Sequence, residues 1–244
     1  MKIVFDEKYG AEKRQYVDWY LPESENFDLL IWFHGGGLES GSRKDISFAE
    51  DLVKNNIGVC SVEYSLYPDA KFPDFITDCA KAVSHCISKM QNYRKSGRTY
   101  ISGQSAGAYI TLMLCLDKHY LTDVNVDRNG IDGYISDSAQ TTTHFNVLRE
   151  KGVPSSYERI DEAAPLYFVS DDCDFKALLL LCYENDMPCR VTQNKLLKES
   201  LDRNVCDKNI VLKVLEGGHV NGSVNRNKGG TFDFADEVLV FMNK

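Results

Sequence analysis

The feature that most constrains this chain is Thr99-Tyr100-Ile101-Ser102-Gly103-Gln104-Ser105-Ala106-Gly107-Ala108-Tyr109-Ile110. A β-type run, a serine between two glycines and an apolar helical run follow one another there without a spacer. Residues Gly103 to Gly107 fit G-x-S-x-G, a pattern that asks for a strand-to-helix turn so sharp that only glycine leaves room on either side. Such a turn lifts the serine hydroxyl clear of the sheet and starts a helix directly behind it. The helix N-terminus then lies beside any negative charge formed at that oxygen. The pentapeptide alone also occurs by chance; the strand before it and the small residues Ala106, Gly107 and Ala108 after it supply the setting the turn demands.

The rest of the chain alternates strands and helices around that turn. Residues 3–9 and 13–21 read as an antiparallel pair closed at Gly10 and ended by Pro22. Phe27 to Phe33 and Ile57 to Tyr64 are nearly continuous apolar runs, the pattern of strands buried on both faces of a parallel sheet. A polar helix is predicted over 44–55. A second helix follows the loop Tyr64 to Pro73 and aligns Phe75, Cys79, Ala82, Val83 and Cys86 on one face. The helix behind the serine is predicted over Ala108 to Tyr120, and further strands over Gly133 to Ser136, Lys176 to Tyr183 and Ile210 to Leu215. Gln193 to Leu201 and Phe232 to Met242 read as helices, and 140–172 as an irregular segment with one helix. This order predicts a mainly parallel, eight-stranded twisted sheet with helices on both faces, in a single domain over 1–244.

Composition narrows the class. The chain has 244 residues, 43% hydrophobic and 26% charged, which suits one α/β domain with a large core. The formal net charge of -8, with Lys and Arg scattered, argues against a nucleic-acid partner, since phosphate binders gather cations on one face. No apolar run has the ~18 residues of a membrane span, and the first residues turn acidic before a signal-peptide core could form, so a cytoplasmic protein without a membrane partner is expected. The eight cysteines, at 60, 79, 86, 115, 173, 182, 189 and 206, lie mostly in apolar runs and form no C-x-x-C pair. They read as buried reduced thiols rather than a zinc site or a disulfide framework.

Ligand chemistry in parallel sheets gathers at the carboxyl ends of strands. The polar residues predicted there are His34 with Gly35-Gly36-Gly37, Ser105, Asp137, Glu184-Asn185-Asp186, and His219 after the last strand. A serine hydroxyl needs a base to take its proton, and an imidazole has the right pKa. The imidazole in turn needs a carboxylate to fix its tautomer. Of the five histidines, His219 stands on a glycine pair past the last strand and is the preferred base. His85 and His119 fall on helices, His34 shapes the glycine loop, and His144 lies in the irregular segment. Asp186 is the preferred acid, Asp137 the runner-up, with Glu184 and Asp171 to Asp174 behind. The backbone N–H groups of Gly36, Gly37 and Ala106 are the expected donors to an oxyanion.

The order Ser105, Asp186, His219 with His34-Gly35-Gly36-Gly37 upstream resembles the α/β-hydrolase fold, and within it the hormone-sensitive-lipase-like and bimodular-feruloyl-esterase-like carboxylesterases. The likeness covers nearly the whole chain. Asp18-Trp19-Tyr20-Leu21-Pro22 resembles their second strand, Tyr64 to Pro73 their Y-R-L-A-P-E-x-x-F-P loop, and Ala164-Pro165-Leu166-Tyr167 their S-P-L segment. The resemblance implies a serine esterase of small carboxylic esters, with acetyl or feruloyl esters of plant-cell-wall sugars as candidates. It implies no metal and no organic cofactor, and leaves a homodimer open. Kynurenine formamidases are similar in the glycine loop and serine turn, so arylformamide hydrolysis is an alternative, as is a small-ligand-binding member without catalysis. Two departures stand out: there is no room for a long N-terminal helical cap, which implies an open site, and Ser65 replaces the arginine usual in the Y-R-L loop.

Overall fold

The computed structural model describes residues 1–205 and 208–243, so Cys206 lies outside the described residues. Eight strands form one sheet in the order β1-β2-β4-β3-β5-β6-β7-β8. They are β1 (Lys2–Lys8), β2 (Tyr16–Leu21), β3 (Asp28–Phe33), β4 (Ile57–Val62), β5 (Thr99–Gln104), β6 (Gly133–Asp137), β7 (Ala177–Asn185) and β8 (Asn209–Gly218). β1 and β2 pair antiparallel, β2 runs antiparallel to β4, and every pairing from β4 through β8 is parallel. The mainly parallel sheet read from the sequence is therefore present.

Alternation along the central strands divides the core in two. On β3, Leu29, Ile31 and Phe33 face a cluster built with α2 (Asp74–Met90), α3 (Ala106–Leu116) and α6 (Arg190–Asn204). Leu30 and Trp32 face the opposite cluster, made with α1 (Ala49–Lys54) and α8 (Asp233–Met242). Both faces are covered because each central strand is apolar on both. Trp32, Phe48 and Phe234 meet edge to face there, with centroids 4.6 to 5.0 Å apart.

Two predicted helices differ. The helix expected over 44–55 is only Ala49–Lys54, because 42–48 is a turn region in which Asp45 accepts the Ser42 amide at 2.9 Å and competes for the backbone. The helix behind Ser105 starts two residues earlier than predicted and stops at Leu116. Asp117 is extended (φ −93°, ψ 97°), and α4 (His119–Thr122) follows as a separate turn. The segment after β6 holds α5 (Phe145–Glu150) and a 3-10 turn at Pro165–Phe168, and a one-turn helix, α7 (Asn221–Val224), follows β8. No helix among the described residues is long and apolar enough to cross a membrane.

Candidate active site

β5 delivers Ser105 at the turn into α3, with φ 52° and ψ −112°, a strained conformation for a residue with a side chain. Both flanking glycines are required by space. A Cβ on Gly103 would stand 2.4 Å from the Gly107 carbonyl, and one on Gly107 would stand 2.1 Å from the Phe33 oxygen. The Ser105 Oγ lies 2.8 Å from His219 Nε2, and His219 Nδ1 lies 2.5 Å from Asp186 Oδ1. Residues 105, 186 and 219 thus form one continuous hydrogen-bonded series at the carboxyl ends of β5, β7 and β8.

The Asp186 carboxylate is held by more than the imidazole. Asp186 Oδ2 accepts from Ser138 Oγ at 2.8 Å and from the Tyr183 amide at 3.3 Å, while Oδ1 accepts from the Met187 amide at 2.7 Å. Burial alone pushes this carboxyl up, but the bonds from His219 and Ser138 outweigh burial and hold it below the ordinary aspartate value. Asp137 behaves in the opposite way. It is fully buried, its Oδ2 takes the Ser223 Oγ bond at 2.6 Å, its Oδ1 has no geometric partner among the described residues, and burial outweighs what Ser223 and Tyr183 do to lower its pKa, pushing it up to about 6. Asp137 does not bond His219; through Ser223 it anchors α7, the turn that follows the imidazole.

Sequence reasoning gave no role to the residues that fix this turn. Ser138 sits at φ +62°, and its hydroxyl, besides serving Asp186, receives the Val220 amide at 3.4 Å. The Tyr183 hydroxyl receives the Gly222 amide at 3.0 Å. Ser138 follows a strand-end aspartate, the one signal that could have pointed to it.

The remaining histidines are engaged elsewhere. His85 pairs with Glu7 at 2.6 Å and His119 with Asp117 at 2.5 Å. His144 caps α5 by accepting the Asn146 amide at 3.2 Å, and burial pushes its pKa well down. His34 is buried, stacks on Tyr64 with centroids 4.3 Å apart, and touches the Gly35 oxygen through Nδ1 at 2.7 Å. Glu184 is exposed at the end of β7, and Asp172 pairs with Lys118 away from the site.

The glycine loop presents its amides because its carbonyls are tied. The Gly35 oxygen meets His34 Nδ1; the Gly36 oxygen accepts from the Glu39 and Ser40 amides and from Ser40 Oγ; the Gly37 oxygen accepts from Asn146 Nδ2 at 2.6 Å. A trans peptide points its N–H opposite its C=O. Tying those three oxygens therefore turns the N–H groups of Gly36, Gly37 and Leu38 the other way, and the Gly36, Gly37 and Ala106 amides have no acceptor among the described residues. Gly36 needs its φ of +104°, and a Cβ there would fall 2.2 Å from the Ser40 oxygen.

Beneath the loop, Glu63 is 5% exposed and is held by Arg14 and Arg43; Arg43 also pairs with the fully buried Asp18 at 2.9 Å. Arg14 donates to the Tyr64 oxygen at 3.0 Å and the Gly41 oxygen at 3.1 Å, so a guanidinium from the β1–β2 connection supports the loop that carries Ser65. Six of the seven described cysteines are buried, and Cys189 is exposed. No group of three His, Cys, Asp or Glu among the described residues is placed to hold a metal ion.

A family model described as BD-FAE matches residues 17–154, more than half of the chain. The chain belongs to the BD-FAE family. Its sheet has the α/β-hydrolase fold, shared at a TM-score of 0.81 with esterase B from Lactobacillus Rhamnosis (15% identity, 99% of this chain and 85% of that one). A truncated carbohydrate esterase from gut microbiota matches at 0.77 (16% identity, 100% and 97%). At such identities the likeness is one of fold. Among curated proteins, the BD-FAE chain is similar to the kynurenine formamidase of Danio rerio, 32% identical over 116 residues, 46% of this chain and 39% of that protein. It is also similar to neutral cholesterol ester hydrolase 1 of Mus musculus, 30% identical over 122 residues, 47% of this chain and 30% of that protein. The matched stretch thus spans well under half the length of either relative.

Proposed function

We propose that this BD-FAE protein is a serine carboxylesterase acting on small carboxylic esters. The observation that carries the proposal is the hydrogen-bonded series Asp186–His219–Ser105, at the same end of the sheet as the Gly36, Gly37 and Ala106 amides that have no acceptor among the described residues. Ser105 Oγ adds to the ester carbonyl carbon as its proton passes to His219 Nε2, and Asp186 stabilises the imidazolium. The carbonyl oxygen, now negative, takes the N–H bonds of Gly36, Gly37 and Ala106, with the N-terminus of α3 favouring the charge. Collapse breaks the bond to the alcohol oxygen, which leaves with the proton from His219, and an acyl-serine remains. Water then adds as its proton goes to His219. Collapse returns that proton to Ser105 and releases the acid.

Three measurements test this reading. A fluorophosphonate probe is expected to label the wild type and not Ser105→Ala; no labelling of either protein overturns it in favour of a ligand-binding role. A panel of acetyl, butyryl, octanoyl and feruloyl esters, read as kcat/KM, sets the acyl preference; acetyl or feruloyl esters of plant-cell-wall sugars are the candidates the family likeness suggests. The likeness to a kynurenine formamidase favours one second reading, hydrolysis of an arylformamide by the same groups. Turnover of N-formylkynurenine faster than p-nitrophenyl acetate would establish that reading instead.

A further inference from the structure

Arg190 opens α6 and is 4% exposed. Among the described residues its Nε and Nη1 are buried with no hydrogen-bond partner, and Nη2 reaches only the Met187 sulfur at 3.6 Å. A thioether is a weak acceptor and a guanidinium stays ionised at every accessible pH, so this is a buried cation whose fork of donors is almost unused. The carboxylates close enough to act on it are Asp186 and Glu158. Both are engaged: Asp186 as described above, and Glu158 by Thr142 Oγ1 at 2.9 Å and Gln193 Nε2 at 2.7 Å. Two carboxylates offset its charge from a distance, but burying N–H donors without an acceptor is costly, and an acceptor brought by a ligand would satisfy them.

Its place is consistent with that role. Asn194 Nδ2 donates to both the Arg190 oxygen at 2.9 Å and the Ala139 oxygen at 2.8 Å, so the first turn of α6 is tied to the segment that leads to His144. The His144 ring packs against Phe145 with centroids 4.3 Å apart, and Phe145 stands 3.0 Å from where a Gly37 Cβ would lie. The start of α6, with Arg190, therefore lies between the turn that carries Asp186 and Met187 and the segment that borders the glycine loop. Met187, 38% exposed, covers Nη2 with a flexible unbranched chain that can swing aside.

We propose that Arg190 anchors a carboxylate borne by the substrate, so that the site selects acid-bearing esters, with Met187 as the group displaced on binding. This rests on the ester-hydrolase reading. A carboxylate in place of the Met187 sulfur meets a planar donor fork that matches it in geometry and charge.

The test compares monomethyl adipate with methyl hexanoate, a neutral ester of the same acyl length. The wild type is expected to favour the acid ester by about 10-fold in kcat/KM, and Arg190→Gln to bring that ratio to about one. Loosened packing lowers both esters alike and leaves the ratio unchanged, so an unchanged ratio in Arg190→Gln, or a wild-type preference for the neutral ester, overturns the proposal. Should Arg190→Gln fail to fold, Met187→Ala is expected to raise the ratio, and a ratio that stays put overturns it equally. Calorimetry with Ser105→Ala protein separates this idea from the activity on which it rests. Monomethyl adipate should bind it about 10-fold more tightly than it binds Ser105→Ala/Arg190→Gln. Equal binding sinks the carboxylate anchor whether or not any ester is turned over.

Discussion

Asp137 and Asp186 end neighbouring strands of one sheet, yet their surroundings push them in opposite directions. β6 stops at Asp137, which lies level with Leu181 of β7, whereas β7 runs on to Asn185. The longer strand carries Asp186 out to His219 and to three further donors, while Asp137 stays in the interior with one hydroxyl on Oδ2. Strand-end position alone does not select the acid of the site. Burial raises both carboxyls; the N–H and O–H groups that the longer strand brings to Asp186 outweigh it there, and those that reach Asp137 do not.

The largest expected effect breaks the comparison on the Asp186 side. Asp186→Asn keeps the shape but presents an amide to Nδ1, and kcat on the best ester is expected to fall ~10³- to 10⁴-fold, measured against unchanged folding by circular dichroism. A loss under tenfold would mean that another group orients the imidazole.

Next in size is the pH dependence of stability, where the two aspartates have opposite signs. Asp137, raised to about 6 in the fold, favours folding when protonated, so its contribution is present at about pH 4 and is lost as pH rises to about 6, amounting to roughly 2 to 3 kcal/mol. Asp137→Asn removes that slope, and its stability relative to wild type is expected to rise from pH 4 to 7 in urea titrations. Asp186, held low, contributes stability above the unfolded carboxylate value near ~4 that is lost as pH falls through its folded value. The Asp186→Asn protein should therefore lose ground to wild type above pH 4 and recover it in acid. Slopes of the same sign in both variants would erase the contrast.

Smaller effects sharpen it. Ser138→Ala takes one donor from Asp186 and one acceptor from the Val220 amide; kcat should fall by about 10-fold while KM moves little, and Ser138→Thr should restore part of it. On the opposite wall, Asn146→Ala frees the Gly37 oxygen without touching either aspartate, and a loss of kcat of about 3- to 10-fold is expected. A loss in KM alone would place Asn146 in substrate binding instead.

Much of this site was legible because its chemistry is carried by rare residue types at strand ends. Gly103 and Gly107 around Ser105, the His34 glycine run and His219 behind Gly217-Gly218 each announce themselves over a few adjacent residues. What was not legible depends on partners distant in the chain. Nothing local says that Arg14 will hold Glu63, that Asn146 will reach the Gly37 oxygen, or that Ser138 will bridge Asp186 and Val220. The helix predicted over Ala108 to Tyr120 stops at Leu116 for a related reason. Leu114 to Leu116 continue the apolar run, and only the extended Asp117, bonded to the His119 ring and amide, ends it.

One consequence follows from where the imidazole hangs. His219 lies just past β8, an edge strand of the sheet that pairs with β7 alone among the described residues, whereas Ser105 follows the doubly flanked β5. Margins of a sheet come apart before its middle. Catalysis should thus vanish at denaturant concentrations that leave the bulk of the molecule folded, with amide exchange along 209–218 accelerating in step with the loss of turnover.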